Sequence, residues 1–589
     1  MKKFVVLMMA LVLMLSVMSF ASAEGGQVIK LFLGGGTPLS MDPALNSASA
    51  GSNIIRSAFA GLTGFQYNEA GEPVMAPELA ESYEVSEDGL TYSFVLREGL
   101  KWSDGTDATA SQIKASWERA ASAELGADYG FLFDVISRNE DGTLAIDVDD
   151  AARTFVVHLP QPCAYFLDLC AFVPFYPVRV DLADNEGIWA TNPETYVGLG
   201  AFKMTKYAVD DVIVFEKNPY YWNADAVKLA GIEFYLSEDN TAILTAYENN
   251  TVQYIQSISS SEYDRLNATY PGELEFYPTL GTYYILFNVY KDLSPAAKQL
   301  TVQEQSKARF ALGQLVNRDE IVTYVTKGGE VAATGFFPKE LSDGLNADVR
   351  ASADYGTWYT GTNELSDVNP DLTVDQVEAL QTLVDLGYPH TGTIEAGDIK
   401  FTDFPSIEFA FNNSGNNALI IQYVQETWNR FGITGVVNQE AWATLQTKLK
   451  AGDAEAARMG WIADFNDVVN FLEIFISNSG NNYPRLGREI GDYTRNSEVT
   501  KDAGMGAYWG MDGDKTWADA YDALVDAIKA ATDPAERAKL AAEAEKVLMA
   551  TGGVNPLYYY TTAQMLKPNV HNVIRLATGD VIWNYAYMD

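Results

Sequence analysis

Histidine and cysteine are scarce in this chain, which has three histidines and two cysteines among 589 residues. His158, His390 and His571 lie far apart and form no HExxH motif or other close ligand pair, which argues against a zinc hydrolase. The chain also lacks the GxSxG motif of serine hydrolases and a glycine-rich phosphate-binding loop. We therefore expect no catalytic residue, no metal site and no cofactor, and predict that the protein is not an enzyme.

The two cysteines, Cys163 and Cys170, stand seven residues apart in the stretch CAYFLDLC. This stretch follows Pro162 and predicts a helix, in which seven residues separate two Cα atoms by about 10 Å. A disulfide needs a separation below about 7 Å, so we favour two buried free thiols. A non-helical loop at this place would instead permit a disulfide.

Basic residues are also in short supply. The chain has 40 lysines and arginines against 79 aspartates and glutamates. Removal of a predicted signal peptide that contains two lysines gives 38 − 79 = −41 for the mature chain. This excess of negative charge argues against nucleic acid and anionic membrane surfaces as partners, because both are themselves negatively charged.

Long apolar runs are absent except at the start of the sequence. Residues 2–3 are lysines, residues 4–20 form an almost unbroken apolar run, and residues 21–23 read Ala-Ser-Ala. This order is typical of a secretory signal peptide over residues 1–23, cleaved before Glu24. The alternative is a membrane anchor, but the run is short for a hydrocarbon core about 30 Å thick. Since no cysteine near the cleavage site offers a lipid anchor, we expect a periplasmic or otherwise extracytoplasmic protein.

The length and the pattern of apolar residues predict several lobes of mixed α/β structure. A chain of 589 residues exceeds one ordinary core. Segments of alternating apolar residues, such as 90–102 and 143–159, predict strands, and segments of helical period, such as 111–122 and 417–432, predict helices. Residues 483–516 are rich in Gly, Asp and Tyr without periodicity, so we interpret them as a surface insertion.

Several motifs together resemble one protein family, the peptide/nickel-type solute-binding proteins of bacterial ABC importers, and most closely their oligopeptide-binding branch. The most specific is ELAESYEVSEDGLTYSFVLREGLKWSDGTDATASQIKASWER (78–119). Others follow in the order of the family: VGLGAFKM (197–204), EKNPYYW (216–222), KARFALGQLVNRDEIV (307–322) and GWIADF (460–465). The order and spacing of the chain match the family from about residue 28 to 570.

The resemblance implies an α/β, periplasmic-binding-protein-like two-lobed clamshell with an extra domain (class II, three-domain type). By analogy, lobe I comprises 24–58, 194–280 and 566–589, the extra domain II comprises 59–193, and lobe III comprises 281–565. The resemblance implies that the ligand lies between lobes I and III. The implied function is the capture of oligopeptides and their delivery to the membrane permease subunits of an ABC transporter by a monomeric protein.

The resemblance also implies a role for Asp464 in the motif GWIADF. In oligopeptide-binding relatives, the acid of this motif pairs with the N-terminal ammonium group of the peptide. The surrounding aromatic residues lower the local dielectric and so strengthen such a pair. Alternatively, Asp464 pairs with an arginine of the protein or caps a turn.

A bound peptide also needs a strand edge that satisfies its backbone N–H and C=O groups. We expect one edge at Gly460, Trp461 and Ile462 and another at Tyr283 and Tyr284.

Two further residues, Trp442 and Arg458, complete the predicted ligand-binding set, and Trp461 has a second expected role. Trp442 and Trp461 match family positions that form side-chain pocket walls, although ordinary core packing explains them as well. Arg458 matches a position that holds the C-terminal end of the ligand in some relatives, and the alternative is a structural ion pair.

The chain departs from the family at a disulfide that joins two strands in some relatives. The matching positions here are Gly281 and Ile462, so this disulfide is absent.

Other functions stay open on the sequence alone. The same fold binds dipeptides, metal chelates, opines or oligosaccharides in other members of the family, and Asp464 favours a ligand that carries an amine. A secreted hydrolase and a receptor module that signals ligand occupancy are further alternatives.

Overall fold

The computed structural model describes residues 26–33, 36–68, 71, 73–163, 165–487 and 517–589. The predicted signal peptide and residues 488–516 of the predicted insertion lie outside the described residues. Within the described part of the chain, no helix has the length and apolar character needed to cross a membrane.

The first half of the chain contains strands β1 to β12. They are β1 (Val28–Phe32), β2 (Thr63–Tyr67), β3 (Pro73–Pro77), β4 (Ala80–Val85), β5 (Thr91–Leu96), β6 (Ile146–Asp149), β7 (Thr154–His158), β8 (Phe202–Ala208), β9 (Val212–Lys217), β10 (Gly231–Tyr235), β11 (Tyr254–Gln256) and β12 (Leu274–Phe287). The later strands are β13 (Val331–Ala332), β14 (His390–Thr391), β15 (Lys400–Phe401), β16 (Ile407–Asn412), β17 (Gly435–Glu440), β18 (Ala456–Ile462), β19 (Val554–Leu566), β20 (Val570–His571), β21 (Ile574–Arg575), β22 (Val581–Ile582) and β23 (Tyr587–Met588).

The α-helices alternate with these strands. They are α1 (Ser49–Ile55), α2 (Ala110–Ala121), α3 (Phe166–Cys170), α4 (Asn240–Glu248), α5 (Tyr263–Thr269), α6 (Val302–Gln314), α7 (Arg318–Glu320), α8 (Val374–Asp385), α9 (Asn417–Arg430), α10 (Trp442–Ala451), α11 (Val468–Leu472), α12 (Ala523–Ala530) and α13 (Pro534–Ala550). Short 3₁₀ or π turns connect several of them, for example at Gly130–Val135 and Ile321–Thr326.

One large mixed sheet forms the frame of the molecule. Its strand order is β17-β16-β18-β12-β19-β11-β1-β10-β9-β8, and β13 pairs with β19. The pairs β1–β10, β1–β11 and β16–β17 are parallel, and α9 forms the crossover between β16 and β17. Parallel strands that are joined through helices define an α/β architecture.

The two longest strands, β12 and β19, connect the two halves of this sheet. β12 has 14 residues and β19 has 13, and they pair from Leu274–Met565 to Leu286–Val554. β11 pairs with the end of β19 near Leu566, whereas β18 pairs with the end of β12 near Phe287. The predicted borders between lobes I and III fall within these two strands. The division of the chain into lobes stays a prediction.

A smaller antiparallel sheet with the order β4-β5-β7-β6 lies apart from the main sheet. Helix α2 covers it, and Trp117 packs at ring-centroid distances of 5.1 Å against both Phe155 and Phe175. Helix α2 begins after Thr109, whose side chain and that of Gln112 form a reciprocal capping box. The predicted helix over 111–122 and the predicted hairpin over 143–159 are both confirmed.

Two local predictions need correction. Helix α3 begins only at Phe166, so Cys163 lies in the preceding loop, but both cysteines are free and buried, as we expected. Residues 483–487, the start of the predicted surface insertion, are buried, and Tyr483 and Leu486 belong to the largest hydrophobic cluster. Their aromatic and apolar side chains pack in the core although the segment has no regular period.

A buried carboxylate fixes the loop that follows β13 to helix α13. Glu545 is fully buried, and its Oε1 accepts hydrogen bonds from the N–H groups of Phe336 at 2.8 Å and Phe337 at 2.9 Å. The other oxygen pairs with Arg350, whose side chain is 5% exposed. Such a pair adds little net stability, but the loss of one partner leaves a buried charge uncompensated.

We predict that Glu545→Gln lowers the free energy of unfolding by roughly 3 kcal/mol, because Arg350 then lacks a counter-charge. Glu543→Gln on the exposed face of the same helix is the control, and we expect a change within about 0.5 kcal/mol. Urea denaturation followed by circular dichroism measures both values. Equal effects of the two substitutions would contradict the assigned role of Glu545.

Candidate ligand-binding site

A cavity of about 290 Å³ lies beside the C-terminal half of β18. Its wall combines residues from distant parts of the chain: 47–50 and 52–53 before and within α1, Tyr129 and Phe172 from the predicted domain II, 458–464 from β18 and the following loop, and 578–580 near the C-terminus. The cavity is therefore lined by segments of all three regions that the sequence predicts.

The edge of β18 is open toward this cavity. β12 pairs with β18 along residues 456–462, but β16 pairs with it only at Ala456 and Ala457. The N–H of Ala463 donates to the carbonyl of Leu280 at 2.7 Å, on the β12 side. Because backbone groups alternate in direction along a strand, those of Gly460 and Ile462 face the other side. They form a strand edge that has no partner strand among the described residues.

Gly460 is required by the close approach of an aromatic ring. A methyl group at this position would overlap the hydroxyl group of Tyr560 on β19. The absence of a side chain thus leaves room for the ring of Tyr560, which lines the cavity.

Asp464 lies at the end of this edge as a half-buried carboxylate without a cationic partner. Its Oδ2 accepts a hydrogen bond from Asn470 Nδ2 at 2.9 Å, and its Oδ1 accepts one from the Tyr129 hydroxyl at 3.4 Å. No basic side chain of the described residues forms an ion pair with it. Desolvation raises the pKa of Asp464 to about 8, and the two hydrogen bonds only partly oppose this shift.

A second carboxylate of the wall, Asp580, is neutralised within the protein. Its two oxygens accept from Arg56 Nε at 3.0 Å and Arg56 Nη2 at 2.9 Å. Arg56 also donates to the carbonyl of Ala171 at 3.0 Å and to the hydroxyl of Tyr176. The negative charge of Asp580 contributes to the raised pKa of Asp464.

Arg458 lies at the opposite end of the open edge. Its Nε donates to Asn412 Oδ1 at 3.0 Å, and its guanidinium carbon lies 5.3 Å from the ring centroid of Trp442. It has no carboxylate partner among the described residues. Asp464 lies six positions after Arg458, which corresponds to about 20 Å of extended chain. The edge thus has an unpaired carboxyl group near one end and an unpaired guanidinium group near the other.

Both predicted tryptophans line the cavity, and each also donates a hydrogen bond to another residue of the protein. Trp442 is the first residue of α10, and its N–H donates to Glu238 Oε1 at 3.0 Å. Trp461 is buried, and its Nε1 donates to Asn470 Oδ1 at 3.0 Å. Asn470 therefore fixes the indole ring and the carboxylate of Asp464 together.

The expected second strand edge at Tyr283 and Tyr284 is not present. β12 has β18 on one side and β19 on the other, so its backbone groups are already paired. Tyr283 stacks on Tyr558 at 4.8 Å, and Tyr284 packs edge-on against Phe336. Neither tyrosine lines the cavity. Gly281 and Ile462, the positions of the missing disulfide, are direct partners across β12 and β18.

Several wall residues were not predicted from the sequence. Tyr129 and Phe172 come from the extra domain, Asn481 and Tyr483 from the region interpreted as an insertion or its border, and Tyr560 from β19. The sequence around them carries no local signal of a site, since only the fold brings them to β18.

The raised pKa of Asp464 predicts a pH-dependent stability. Because its pKa is about 8 in the folded protein and near 4 in the unfolded chain, the folded state binds more protons between these values, and its stability falls as the pH rises from about 4 to 8. Asp464→Asn removes this cost. We expect the variant to match the wild type near pH 4 and to exceed it by roughly 3 kcal/mol at pH 8.5 in urea denaturation.

The control for this comparison is Asp453→Asn at an exposed position outside the cavity. Its difference from the wild type should not grow with pH. A difference between Asp464→Asn and the wild type that is constant over this range would contradict the assignment.

Comparison with known proteins places this geometry in a family. The family model of the bacterial extracellular solute-binding proteins, family 5 Middle, matches residues 74–483. The chain is 28% identical over 563 residues to the oligopeptide-binding protein OppA of Bacillus subtilis, which covers 93% of this chain and 91% of that protein. It is 24% identical to the dipeptide-binding protein DppE of the same organism, with 93% and 90% covered.

Solved structures show the same fold. OppA of Haemophilus influenzae in complex with RPPGFSPFR superposes with a TM-score of 0.76 at 23% identity and covers 96% of this chain and 99% of that one. The murein tripeptide-binding protein MppA of Escherichia coli superposes with a TM-score of 0.74, but its unliganded open form reaches only 0.55. The predicted fold class, an α/β two-lobed clamshell of class II, is confirmed. The chain belongs to the bacterial extracellular solute-binding proteins of family 5.

Proposed function

We propose that the protein captures oligopeptides in the cavity beside β18 and delivers them to the permease subunits of an ABC transporter. The observation that carries this proposal is Asp464, a half-buried carboxylate without a cation at the end of an open strand edge. An ammonium group that fits beside it gains a charge-assisted hydrogen bond in a desolvated place.

The open edge supports a peptide rather than an isolated amine. The N–H and C=O groups of Gly460 and Ile462 offer strand pairing to an extended backbone, which binds a peptide without reading its side chains. With its ammonium group at Asp464, the peptide runs along the edge toward Arg458. Arg458 then meets the C-terminal carboxylate or supports the backbone near it, since its only described polar partner is Asn412.

The names of the relatives agree with this ligand class. The Bacillus subtilis OppA is an oligopeptide-binding protein, and the Haemophilus influenzae OppA holds a nonapeptide. We further propose that residues 1–23 direct export to the periplasm, that the protein acts as a monomer, and that the two lobes meet around the ligand. We also propose that the protein catalyses no reaction.

The amine anchor predicts which changes abolish binding. We expect Asp464→Asn to weaken the binding of a mixed tri- to hexapeptide library by at least 100-fold, because the buried ammonium loses its counter-charge at a cost of roughly 3–5 kcal/mol. N-acetylation of the peptides should have a similar effect on the wild type. Thermal shift and isothermal titration calorimetry measure both, since a ligand that binds only the folded form raises the melting temperature.

Asp453→Asn serves as the matched control for peptide binding and should bind as the wild type does. Equal affinity for acetylated and free peptides would overturn the role of Asp464. A melting temperature that rises with a sugar or a metal chelate but with no peptide would reject the peptide assignment.

Peptide binding should also release protons near neutral pH. The pKa of about 8 keeps Asp464 largely protonated at pH 7 in the free protein, whereas an ammonium partner requires the ionised form. The affinity should therefore fall as the pH decreases below 8, and it should also fall above 8, where the peptide amine loses its proton. Calorimetry at pH 7 in two buffers of different ionisation enthalpy measures the release, which we expect to approach one proton. The absence of any release would show that Asp464 is already ionised.

A further inference from the structure

The charged residues of the cavity wall are few. Among the described residues that line the cavity, only Asp464, Asp580 and Arg458 have acidic or basic side chains. Asp580 is paired with Arg56 at 2.9 Å, and the proposed function assigns Asp464 and Arg458 to the two ends of the ligand. No charged side chain of the described wall is therefore available to pair with an ionised ligand side chain.

The rest of the wall is nevertheless rich in groups that form hydrogen bonds. Serine, asparagine and glutamine side chains line it at residues 47, 49 and 52–53, at 256–257, and at 412 and 414. An ionised side chain enclosed here would lose its hydration without a counter-charge, whereas a neutral polar side chain would find donors and acceptors.

Two amides of the wall each have one polar atom without a partner. Gln446 is 2% exposed and Asn481 is 3% exposed. Gln446 Oε1 and Asn481 Nδ2 are buried and make no hydrogen bond with any described residue. Asn481 Oδ1 accepts a hydrogen bond from the hydroxyl of Tyr483 at 3.2 Å, which leaves Nδ2 as the unused donor.

Orphaned buried amide atoms are costly, so their presence on a cavity wall calls for a ligand group that pairs with them. No described residue places a donor within reach of Gln446 Oε1 or an acceptor within reach of Asn481 Nδ2. A primary amide supplies both, and the broad terminal torsion of an amide side chain allows each wall group to turn toward it. A carboxylate supplies no donor, and an ammonium group supplies no acceptor.

Only some residues of the ligand can reach this part of the wall. Gln446 lies four residues after Trp442 on α10, so the two share one face of the helix. An extended ligand directs successive side chains to opposite sides, and therefore only alternate side chains face α10. The preference should accordingly appear at one position of the peptide rather than at all positions.

We propose that the cavity selects oligopeptides that carry an uncharged amide side chain, asparagine or glutamine, at one position next to Gln446 and Asn481. Ionised side chains are disfavoured at this position. This inference rests on the proposed function and defines the ligand class of the same site.

A positional scan on tetra-alanine tests the proposal. Each position is replaced in turn by glutamine, glutamate, methionine or lysine, and calorimetry gives the dissociation constants for the wild-type protein. At one position we expect the glutamine peptide to bind roughly tenfold more tightly than the other three peptides. Gln446→Met should reduce the ratio between the glutamine and methionine peptides to below threefold.

Gln422→Met is the matched control, because Gln422 is exposed on α9 and outside the cavity. It should keep the wild-type ratio. If tetra-alanine binds but the four replacements agree within threefold at every position, or if glutamate or lysine is preferred, the inference is overturned and the proposed function stands. If no peptide binds at all, the proposed function fails and the inference fails with it. If Gln446→Met does not fold, the wild-type scan decides alone.

Discussion

The antiparallel pairing of β12 with β19 is the interaction on which the rest of the structure depends. One half of the main sheet extends from β12 through β18, and the other half extends from β19 through β11. The pairing register shifts between Pro278 and Thr282, where the proline lacks an N–H for the ladder. The cavity lies beside this irregular point, since Ala463 donates to Leu280 there. A bend of these two strands would change the distance between the walls of the cavity.

The site keeps polar groups that a structural core would pair. Asp464 lacks a cation, and Gln446 and Asn481 each keep an unused amide atom. The same wall contains Asp580, which accepts two hydrogen bonds from Arg56 and one from the Thr578 hydroxyl. The paired and unpaired groups therefore have different effects. The Arg56–Asp580 pair connects the residue after α1 to the C-terminal segment of the chain. The unpaired groups lower the stability of the free protein until a ligand forms hydrogen bonds with them.

Local patterns were sufficient to predict the elements and one edge of the site. Helical period predicts α2, and alternating apolar residues predict the β6–β7 hairpin. The motif GWIADF singled out Asp464 and the end of β18, which line the cavity. The prediction at Tyr283 and Tyr284 was wrong because a pair of tyrosines does not show whether a strand is central or at an edge. The unbroken run YYILF, buried at every position, is typical of a central strand. Tyr129, Asn481 and Tyr560 have no local signal, since tertiary folding alone assembles them.

The net charge of this protein and the chemistry of its cavity wall affect different steps of ligand binding. The full chain has a formal charge of −39, yet the described cavity wall offers only Asp464 as an uncompensated acid. A negative surface attracts cations over distances near the Debye length of about 8 Å, and so it favours the approach of any ammonium group. Discrimination among ligands that have already entered depends instead on short-range pairing in a desolvated space. The excess of acidic residues thus affects the rate at which a ligand associates, whereas the neutral amides of the wall determine which ligand binds more tightly.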